Sequence, residues 1–166
     1  MIVSAKVVKV GNNIDTDVIL PGKYLVLTDP EELAKHAMEG IDPSFAQKVK
    51  DGAILVAGEN FGCGSSREQA PMALKHSGVK CILAEFFARI FYRNAINIGL
   101  PAIEYRDISK IVDEGDLLTI DLKSGTITNH TKKVVLNFQP IPKFLLEILE
   151  LEGLIEKLKQ EVKKGF

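Results

Sequence analysis

The sequence has few of the residues that build metal sites and disulfides. Among its 166 residues there are two cysteines and three histidines, and there is no tryptophan. The two thiols, Cys63 and Cys81, are too few for a four-cysteine zinc or iron–sulfur site. No CxxC or HxxxH spacing is present, and a disulfide between the two cysteines is not expected in a reducing compartment. We therefore expect no metal on this chain, and any metal that the chemistry uses should be held by another chain.

An excess of one charge and a long apolar run are also absent. The sequence has 21 Lys and Arg against 22 Asp and Glu, a net charge of -1, which does not favour nucleic acid or an anionic membrane as partner. No apolar run approaches the roughly 18 residues of a membrane span. The opening residues, MIVSAKVVKV, are not typical of a signal peptide. We therefore expect a cytoplasmic protein that binds neither nucleic acid nor membrane.

The central part of the chain alternates strand and helix patterns. The glycine-bounded apolar run at 53–58 and the run at 79–85 are typical of buried strands. Helical patterns follow each of them, at 67–76 and 86–98, and a third extended piece covers 100–104. This order predicts parallel strands joined by helical crossovers.

Further strands and a helix lie on either side of this region. Residues 3–10 alternate apolar and polar, 116–129 read as two strands around a tight turn, and 132–138 as a third. Apolar positions over 144–162 step by four and three, which predicts one helical stripe with Gly153 as a candidate break.

The N-terminal third predicts loops and short helices. Residues 11–25 are rich in turn formers and predict a loop with short extended pieces. Asp29 is the expected N-cap of a helix that has Pro30 in its first turn and ends by Gly40. A second short helix is expected over 44–50.

No internal repeat, low-complexity tract or linker divides the sequence. We predict the α/β fold class, with a largely parallel central sheet, additional antiparallel strands and a C-terminal helix. These form a single domain over 1–166.

The stretch ENFGCGSSREQA (59–70) is the strongest candidate for chemistry. Gly62 and Gly64 allow a sharp turn and close approach of the backbone to a ligand. Ser66 to Gln69 fits a capping box with Ser66 as N-cap, so the serines have a structural interpretation as helix caps. They have a functional one as well, because a helix N-terminus is an anion site. The guanidinium of Arg67 is a planar fork that suits a carboxylate.

The same stretch excludes some chemistries and leaves others open. A carboxylate ligand is favoured over a sugar or an apolar ligand. A phosphate fits almost as well, although the lysine of a P-loop is missing. A serine hydrolase is disfavoured because there is no GxSxG elbow and no histidine nearby. Cys63 beside a helix start could act as a nucleophile, but a small residue between glycines explains it more simply.

Three segments carry a resemblance to a known family. GENFGCGSSREQA, NNIDTDVILPGKYL and AEFFARIFYRNAINIGL occur in this order within about residues 5–104. They resemble the aconitase-type swivelling domain, a β/β/α fold, and most closely the small subunits of isopropylmalate isomerases and the related homoaconitases. The resemblance implies one such domain, which works as a free-standing small subunit.

The resemblance also implies a reaction and roles for residues. The reaction is an isomerisation by loss and re-addition of water, with a [4Fe–4S] cluster on a partner large subunit and no cofactor on this chain. Ser65 matches the family's base. Ser66 and Arg67 match positions that bind a substrate carboxylate, and Thr16 and Asp17 match a pair that enters the active site from another loop. Gly64 is included among the substrate-binding positions.

Residues 24–28 occupy the place of the family's substrate-recognition loop, which consists of Tyr24, Leu25, Val26, Leu27 and Thr28. Val26 and Leu27 offer an apolar contact that suits the isopropyl group of isopropylmalate. A homoaconitase small subunit and a citraconate or citramalate hydratase remain alternatives. A carboxylate-binding regulatory domain without catalysis is the non-enzyme alternative.

The expected partners are a small di- or tricarboxylate and the large subunit, in a heterodimer or a heterotetramer. Arg89 and Arg93 lie on the 86–98 helix pattern. We expect them to be solvated or salt-bridged, with contact to a carboxylate or a partner as the alternative for Arg89. No role is predicted for His36 or His76.

Overall fold

One seven-stranded sheet forms the centre of the molecule. The computed structural model describes residues 1–165, and Phe166, which the predicted domain 1–166 includes, lies outside the described residues. The strand order is β4-β3-β2-β1-β5-β6-β7. The strands are β1 (Ile2–Lys9), β2 (Ala53–Ala57), β3 (Val79–Ala84), β4 (Ala102–Glu104), β5 (Leu117–Asp121), β6 (Thr126–Asn129) and β7 (Val134–Asn137).

Eight α-helices and one 3-10 helix connect and cover these strands within residues 1–165. The α-helices are α1 (Thr16–Ile19), α2 (Pro30–Ala34), α3 (Phe45–Val49), α4 (Gln69–Ser77), α5 (Arg89–Asn97), α6 (Ile108–Ile111), α7 (Lys143–Glu150) and α8 (Leu154–Lys163). The 3-10 helix is Gly22–Tyr24. Among the described helices, none combines the length and the apolar character needed to cross a membrane.

The first half of the sheet is parallel. Strands β1, β2, β3 and β4 pair side by side in the same direction, with Leu55 opposite Ile82 and Ile82 opposite Ala102. All five residues of β2 are buried, as expected for a strand covered on both faces. Helices α4 and α6 pack on β3, α6 also on β2, and α5 on β4. The predicted α/β class with parallel strands and helical crossovers is confirmed.

The second half is antiparallel. Strand β5 pairs with the other edge of β1, and β6 and β7 extend the sheet as a meander. Strands β5 and β6 alternate buried and partly exposed side chains, because one face packs on the core and the other meets water. The predicted antiparallel additions are therefore confirmed.

The helix after the serine loop begins later than the sequence suggested. Helix α4 starts at Gln69, and the residue before it, Glu68, makes no side-chain capping bond. The prediction that Ser66 is the N-cap is therefore wrong. Gly64, at φ +93°, turns the chain so that Ser66 and Arg67 lie in irregular backbone before the helix.

Two other predicted segments also differ in detail. Residues 11–25 hold the short helix α1, capped by the Asp15 carboxylate, and the 3-10 helix, rather than extended pieces. The predicted cap at Asp29 is confirmed, because its carboxylate accepts from the Glu31 N–H and Pro30 begins the helix. Helix α2 nevertheless ends at Ala34, and turns continue to Gly40.

The C-terminal stripe is broken into two helices. Gly153, at φ +139°, separates α7 from α8 and lies against the backbone of Asn97 and Ile98. Helix α7 buries Ile148, as the stripe predicts, but α8 leaves Ile155, Leu158 and Val162 exposed. The apolar spacing identified the helices but not which side chains are buried.

A buried polar network joins the start of β5 to the end of β6. The Asp116 carboxylate accepts hydrogen bonds from the Asn129 amide (2.7 Å) and the Asp113 N–H (3.0 Å), and both Asp116 and Asn129 are buried. Burial opposes ionisation of Asp116, but these donors favour the carboxylate, and its pKa falls below the ordinary 3.8. The ionised form therefore stabilises the fold.

Replacing Asn129 with Ala should destabilise the protein by about 1–3 kcal/mol, because a buried carboxylate loses a donor. Stability from ionised Asp116 is present above pH 3.8 and is lost as the pH falls through the lowered folded-state pKa. Urea unfolding at pH 7 and below pH 4 should therefore show that the difference in free energy of unfolding between wild type and Asn129→Ala becomes smaller in acid. Thr128→Ala on the same strand is the control, with a change within about 0.5 kcal/mol. An equally large loss for both variants, or a gap independent of pH, would contradict this role.

Candidate active site

Three loops emerge at one edge of the sheet because three neighbouring strands are parallel. They follow Lys9 of β1, Ala57 of β2 and Ala84 of β3. In open α/β sheets, ligands bind outside the carboxyl ends of the strands. The edge therefore brings together residues that lie about fifty positions apart in the chain.

The segment Phe61–Cys63 holds the three loops together through its backbone. On one side, the Gly62 N–H donates to the Ile14 carbonyl (2.7 Å) and the Thr16 N–H donates to the Cys63 carbonyl (2.9 Å). On the other side, the Phe61 N–H donates to the Phe86 carbonyl (3.0 Å), and the Phe61 carbonyl accepts from the Ala88 N–H (2.9 Å). The segment thus acts as a short strand between its two neighbours.

A buried aromatic cluster supports this segment from below. The Phe61 ring meets those of Phe87 and Phe91 edge to face, with centroids 5.9 and 5.2 Å apart. Gly62 lies directly over the cluster, and a Cβ at this position would lie 2.2 Å from Cγ of Phe91. Glycine is required here both for this close approach and for its φ of +81°.

The serine turn itself is open to solvent. Ser65 and Ser66 are exposed, and within residues 1–165 their hydroxyls have no hydrogen-bond partner. The backbone N–H groups of 64–69 likewise donate to no acceptor in the described chain. This run of free donors at the start of α4 suits an anion, although Ser66 does not cap the helix. A groove of about 470 Å³ contains the turn.

Arg67 is held in position by the loop from β1. Its Nη1 donates to Asp17 Oδ1 at 3.2 Å and lies 3.5 Å from the Leu20 carbonyl. Asp17 Oδ1 also accepts from the Gly22 N–H. The other donors of the Arg67 fork have no partner within the described residues and are available for a carboxylate.

Thr16 fixes the backbone of the candidate base. Its buried hydroxyl donates to the Ser65 carbonyl at 2.9 Å. The structure therefore brings Thr16, Asp17, Gly64, Ser65 and Arg67 together, and their roles stay predictions.

The predicted recognition loop is anchored at its first residue by two side chains that the sequence analysis assigned no role. The Tyr24 hydroxyl donates to Glu39 (2.8 Å), and its ring stacks on His36 at a centroid distance of 3.7 Å. His36 Nδ1 lies 2.5 Å from the other oxygen of Glu39. The bonds from His36 and then Tyr24 lower the pKa of Glu39. The three form a clamp on the loop.

The rest of the recognition loop alternates between the core and the solvent. Leu25 and Leu27 pack partly against the core, whereas Val26 and Thr28 are exposed. Val26 is 83% exposed. Val26 is therefore the more accessible of the two apolar side chains, and Leu27 is half-buried.

The groove also has walls that the sequence analysis did not predict. Phe86, Ile90 and Asn94 line it, and so does Arg89, for which contact with a carboxylate or a partner was only the alternative expectation. Arg89 and Arg93 make no ion pair within residues 1–165. The sequence FFARIFYR places Phe86 and Ile90 four residues apart just after a strand pattern, but it does not show that these two side chains are exposed.

The cysteines do not provide a cluster site. Cys81 is buried in β3, and burial raises the pKa of its thiol, which makes it inert. Cys63 is half-buried at the turn, with its carbonyl bonded to Thr16. No group of three or more His, Cys, Asp or Glu side chains could hold a metal ion in the part of the chain that the structure describes. The residues present do not fit a [4Fe–4S] cluster.

Sequence comparisons place the chain among known proteins. Residues 6–107 match the family described as the Aconitase C-terminal domain. The 3-isopropylmalate dehydratase small subunit of Halothermothrix orenii is 55% identical over 163 residues, 98% of this chain and 99% of that protein. The isopropylmalate/citramalate isomerase small subunit of Methanocaldococcus jannaschii is 56% identical over 97% of this chain and 96% of its own length.

Solved structures agree with these relatives. The crystal structure of a 3-isopropylmalate dehydratase from Methanocaldococcus jannaschii superposes with a TM-score of 0.92 at 46% identity, covering 99% of this chain and 98% of that one. Thermococcus kodakaraensis aconitase X, at a TM-score of 0.53 and 20% identity, shares the fold alone.

Gly62→Ala should lower the free energy of unfolding by about 2–4 kcal/mol, because a side chain is strained at positive φ and would intrude into the Phe91 ring. Gly11→Ala is the matched control, since its Cβ meets nothing within 4 Å. Urea unfolding of both variants measures the difference. Equal stability for the two would mean that Gly62 does not hold the segment against the cluster.

Proposed function

Because this chain belongs to the aconitase C-terminal domain family, and within it to the small subunits of 3-isopropylmalate dehydratase, we propose that the Ser65 groove is its half of a shared active site. As the small subunit of this hydro-lyase, the chain takes part in interconverting 2-isopropylmalate and 3-isopropylmalate in leucine biosynthesis. The observation that carries the site proposal is the meeting of Ser65, Arg67, Thr16 and Asp17 in one place.

The reaction needs a base beside a carboxylate-binding group. Loss of water from isopropylmalate removes a proton from a carbon next to a carboxylate, and the hydroxyl leaves the neighbouring carbon. We assign the proton transfer to the Ser65 oxygen, acting as an alkoxide. Re-addition of water to the double bond at the other carbon, with Ser65 returning a proton, completes the isomerisation.

An unperturbed serine holds its proton at pH 7, so the assignment requires the surroundings to stabilise an anion. The free N–H groups of 64–69, the start of helix α4 and the guanidinium of Arg67 all favour negative charge at this turn. The same groups would bind the substrate carboxylate, with Ser66 as a further donor. Thr16 and Asp17 position the two groups rather than react.

The chain is the small subunit of a two-subunit enzyme, and we propose that the large subunit holds the cofactor. A [4Fe–4S] cluster there would supply the Lewis acid for the leaving hydroxyl. This division fits the two cysteines of this chain, neither of which lies in a metal-ligating group of residues 1–165. A heterodimer or heterotetramer in the cytoplasm, where both free thiols stay reduced, belongs to the same proposal.

Ser65→Ala should reduce turnover by the large and small subunits together at least about a thousandfold, because the base is lost, and leave their affinity unchanged. Cys63→Ala is the matched control two residues away and should keep most of the activity. Steady-state kinetics of the reconstituted enzyme on isopropylmalate gives both values. A Ser65→Ala enzyme that retains most of its turnover would reject serine as the base, and a dead Cys63→Ala enzyme with normal folding would point to the thiol.

The same reconstitution separates this proposal from a regulatory domain or a self-sufficient hydrolase. Turnover that depends on both chains supports the shared site. Turnover by the large subunit alone, with affinity for substrate altered by this chain, would indicate regulation.

For the substrate, we propose that Val26 contacts the group that distinguishes isopropylmalate. It is the exposed apolar residue of the recognition loop, which the clamp of Tyr24, His36 and Glu39 holds at its base. A methyl group in place of isopropyl would leave this contact smaller but free of clashes. Citramalate is thus a second candidate substrate, and a 56% identical relative is named for both substrates.

Val26→Arg should lower kcat/KM for isopropylmalate about tenfold or more, because a charged side chain replaces an apolar contact. It should raise kcat/KM for homoaconitate, which carries a third carboxylate. Val26→Ala is the control. It should lower kcat/KM for isopropylmalate less than Val26→Arg does, and it should lower kcat/KM for citramalate less still. If the wild-type enzyme has a higher kcat/KM for homoaconitate than for isopropylmalate, homoaconitate replaces isopropylmalate as the proposed substrate.

A further inference from the structure

We infer that Phe86, Arg89, Ile90 and Arg93, here called the 86–93 face, form the docking surface for the large subunit, and that the partner presents apolar side chains and carboxylates to it. This inference rests on the proposed function, since it requires an active site shared by two chains.

The 86–93 face exposes apolar side chains that the fold does not cover. Phe86 is 51% exposed and Ile90 is 52% exposed. Between and beyond them, Phe87 and Phe91 are buried in the aromatic cluster. Helix α5 therefore turns one side inward and presents Ile90 outward, and Phe86 lies just before its start. Exposed anchors of this kind are typical of the centre of an interface.

Two cations accompany these anchors without partners of their own. Of the four arginines in the sequence, Arg67 bonds Asp17, and Arg106 lies 4.0 Å from Asp107. Arg89 and Arg93 make neither an ion pair nor a side-chain hydrogen bond with any residue of 1–165. Arginine and aromatic residues are enriched in interfaces, and charge complementarity calls for carboxylates opposite.

The location of the face is continuous with the candidate active site. Phe86, Arg89 and Ile90 line the same groove as Ser65. Phe86 and Arg89 also line a second concavity of about 580 Å³, together with Arg93. The 86–93 face therefore contributes residues to both concavities. A partner that brings reacting groups to Ser65 would have to contact this face.

Helix α8 is another surface with uncovered apolar side chains, but it lies apart from the candidate site. Ile155, Leu158 and Val162 are exposed there. However, Lys159 already pairs with Glu156 and Lys157 with Glu147 and Glu161. Its residues are also absent from the lining of the Ser65 groove. Lys163 makes no ion pair within residues 1–165, but the helix has no continuity with the site.

The test measures the dissociation constant of the complex between the purified large subunit, with its cluster reconstituted, and variants of this chain. Ile90→Asp should raise the dissociation constant about tenfold or more, the size of effect that central interface residues give. Arg93→Glu, outside the lining of the serine groove, should slow association, with an effect that shrinks at high salt. Ile155→Asp, on the similarly exposed α8 face, is the matched control and should bind like wild type.

Binding is measured without substrate, so its result is independent of turnover. In hydrogen exchange, amides of 86–93 should become protected in the complex, which checks the surface without any substitution. Wild-type affinity for both Ile90→Asp and Arg93→Glu, or protection confined to α8, would overturn the inference. Weakened binding by these variants together with a fully active Ser65→Ala enzyme would support the docking surface while rejecting serine as the base.

Discussion

The candidate site depends on one backbone arrangement, the pairing of Phe61–Cys63 with the chain on both sides. Strand β2 ends at Ala57, but backbone pairing begins again at Phe61–Cys63. This segment bonds to Ile14 and Thr16 on one side and to Phe86 and Ala88 on the other. The proposed base, Ser65, and the proposed carboxylate-binding residue, Arg67, lie just beyond it. These backbone bonds, with the contacts from Thr16 and Asp17, fix the positions of Ser65 and Arg67. The turn is therefore held in place although it is exposed to solvent.

Most of the fold could be predicted from the sequence because its signals are local. Short apolar runs bounded by glycine identified β2 and β3, and the Asp29-Pro30 pair identified the start of α2. Two local signals, the capping box at Ser66 and the apolar spacing of α8, gave predictions that the structure does not bear out. Ser66 has the sequence of a capping box, but Gly64 turns the chain before the helix can start. In α8, helical spacing cannot show whether Ile155 packs on this chain or faces outward.

The candidate site was predictable only in part. Ser65, Arg67, Thr16 and Asp17 came from motifs, and the parallel order of β1 and β2 explains why two distant loops meet. The clamp of Tyr24, His36 and Glu39 was not predictable, because it depends on the turns after α2, where Met38 takes positive φ and returns the chain to Ile19. Leu27 was expected to contact ligand and is half-buried against the core, whereas Val26 is exposed, because the apolar pair alone does not show which side chain faces outward.

The recognition loop and the serine turn belong to separate chain segments, joined to the sheet through different strands. The clamp on Tyr24 makes no use of Ser65, and the bonds of Phe61–Cys63 make no use of Val26. After gene duplication, one copy could therefore acquire a new substrate through changes at one loop tip, while selection preserved the turn that carries the proposed base. Because the proposed selectivity residue, Val26, and the proposed base, Ser65, lie on different loops, the architecture favours divergence into paralogous enzymes.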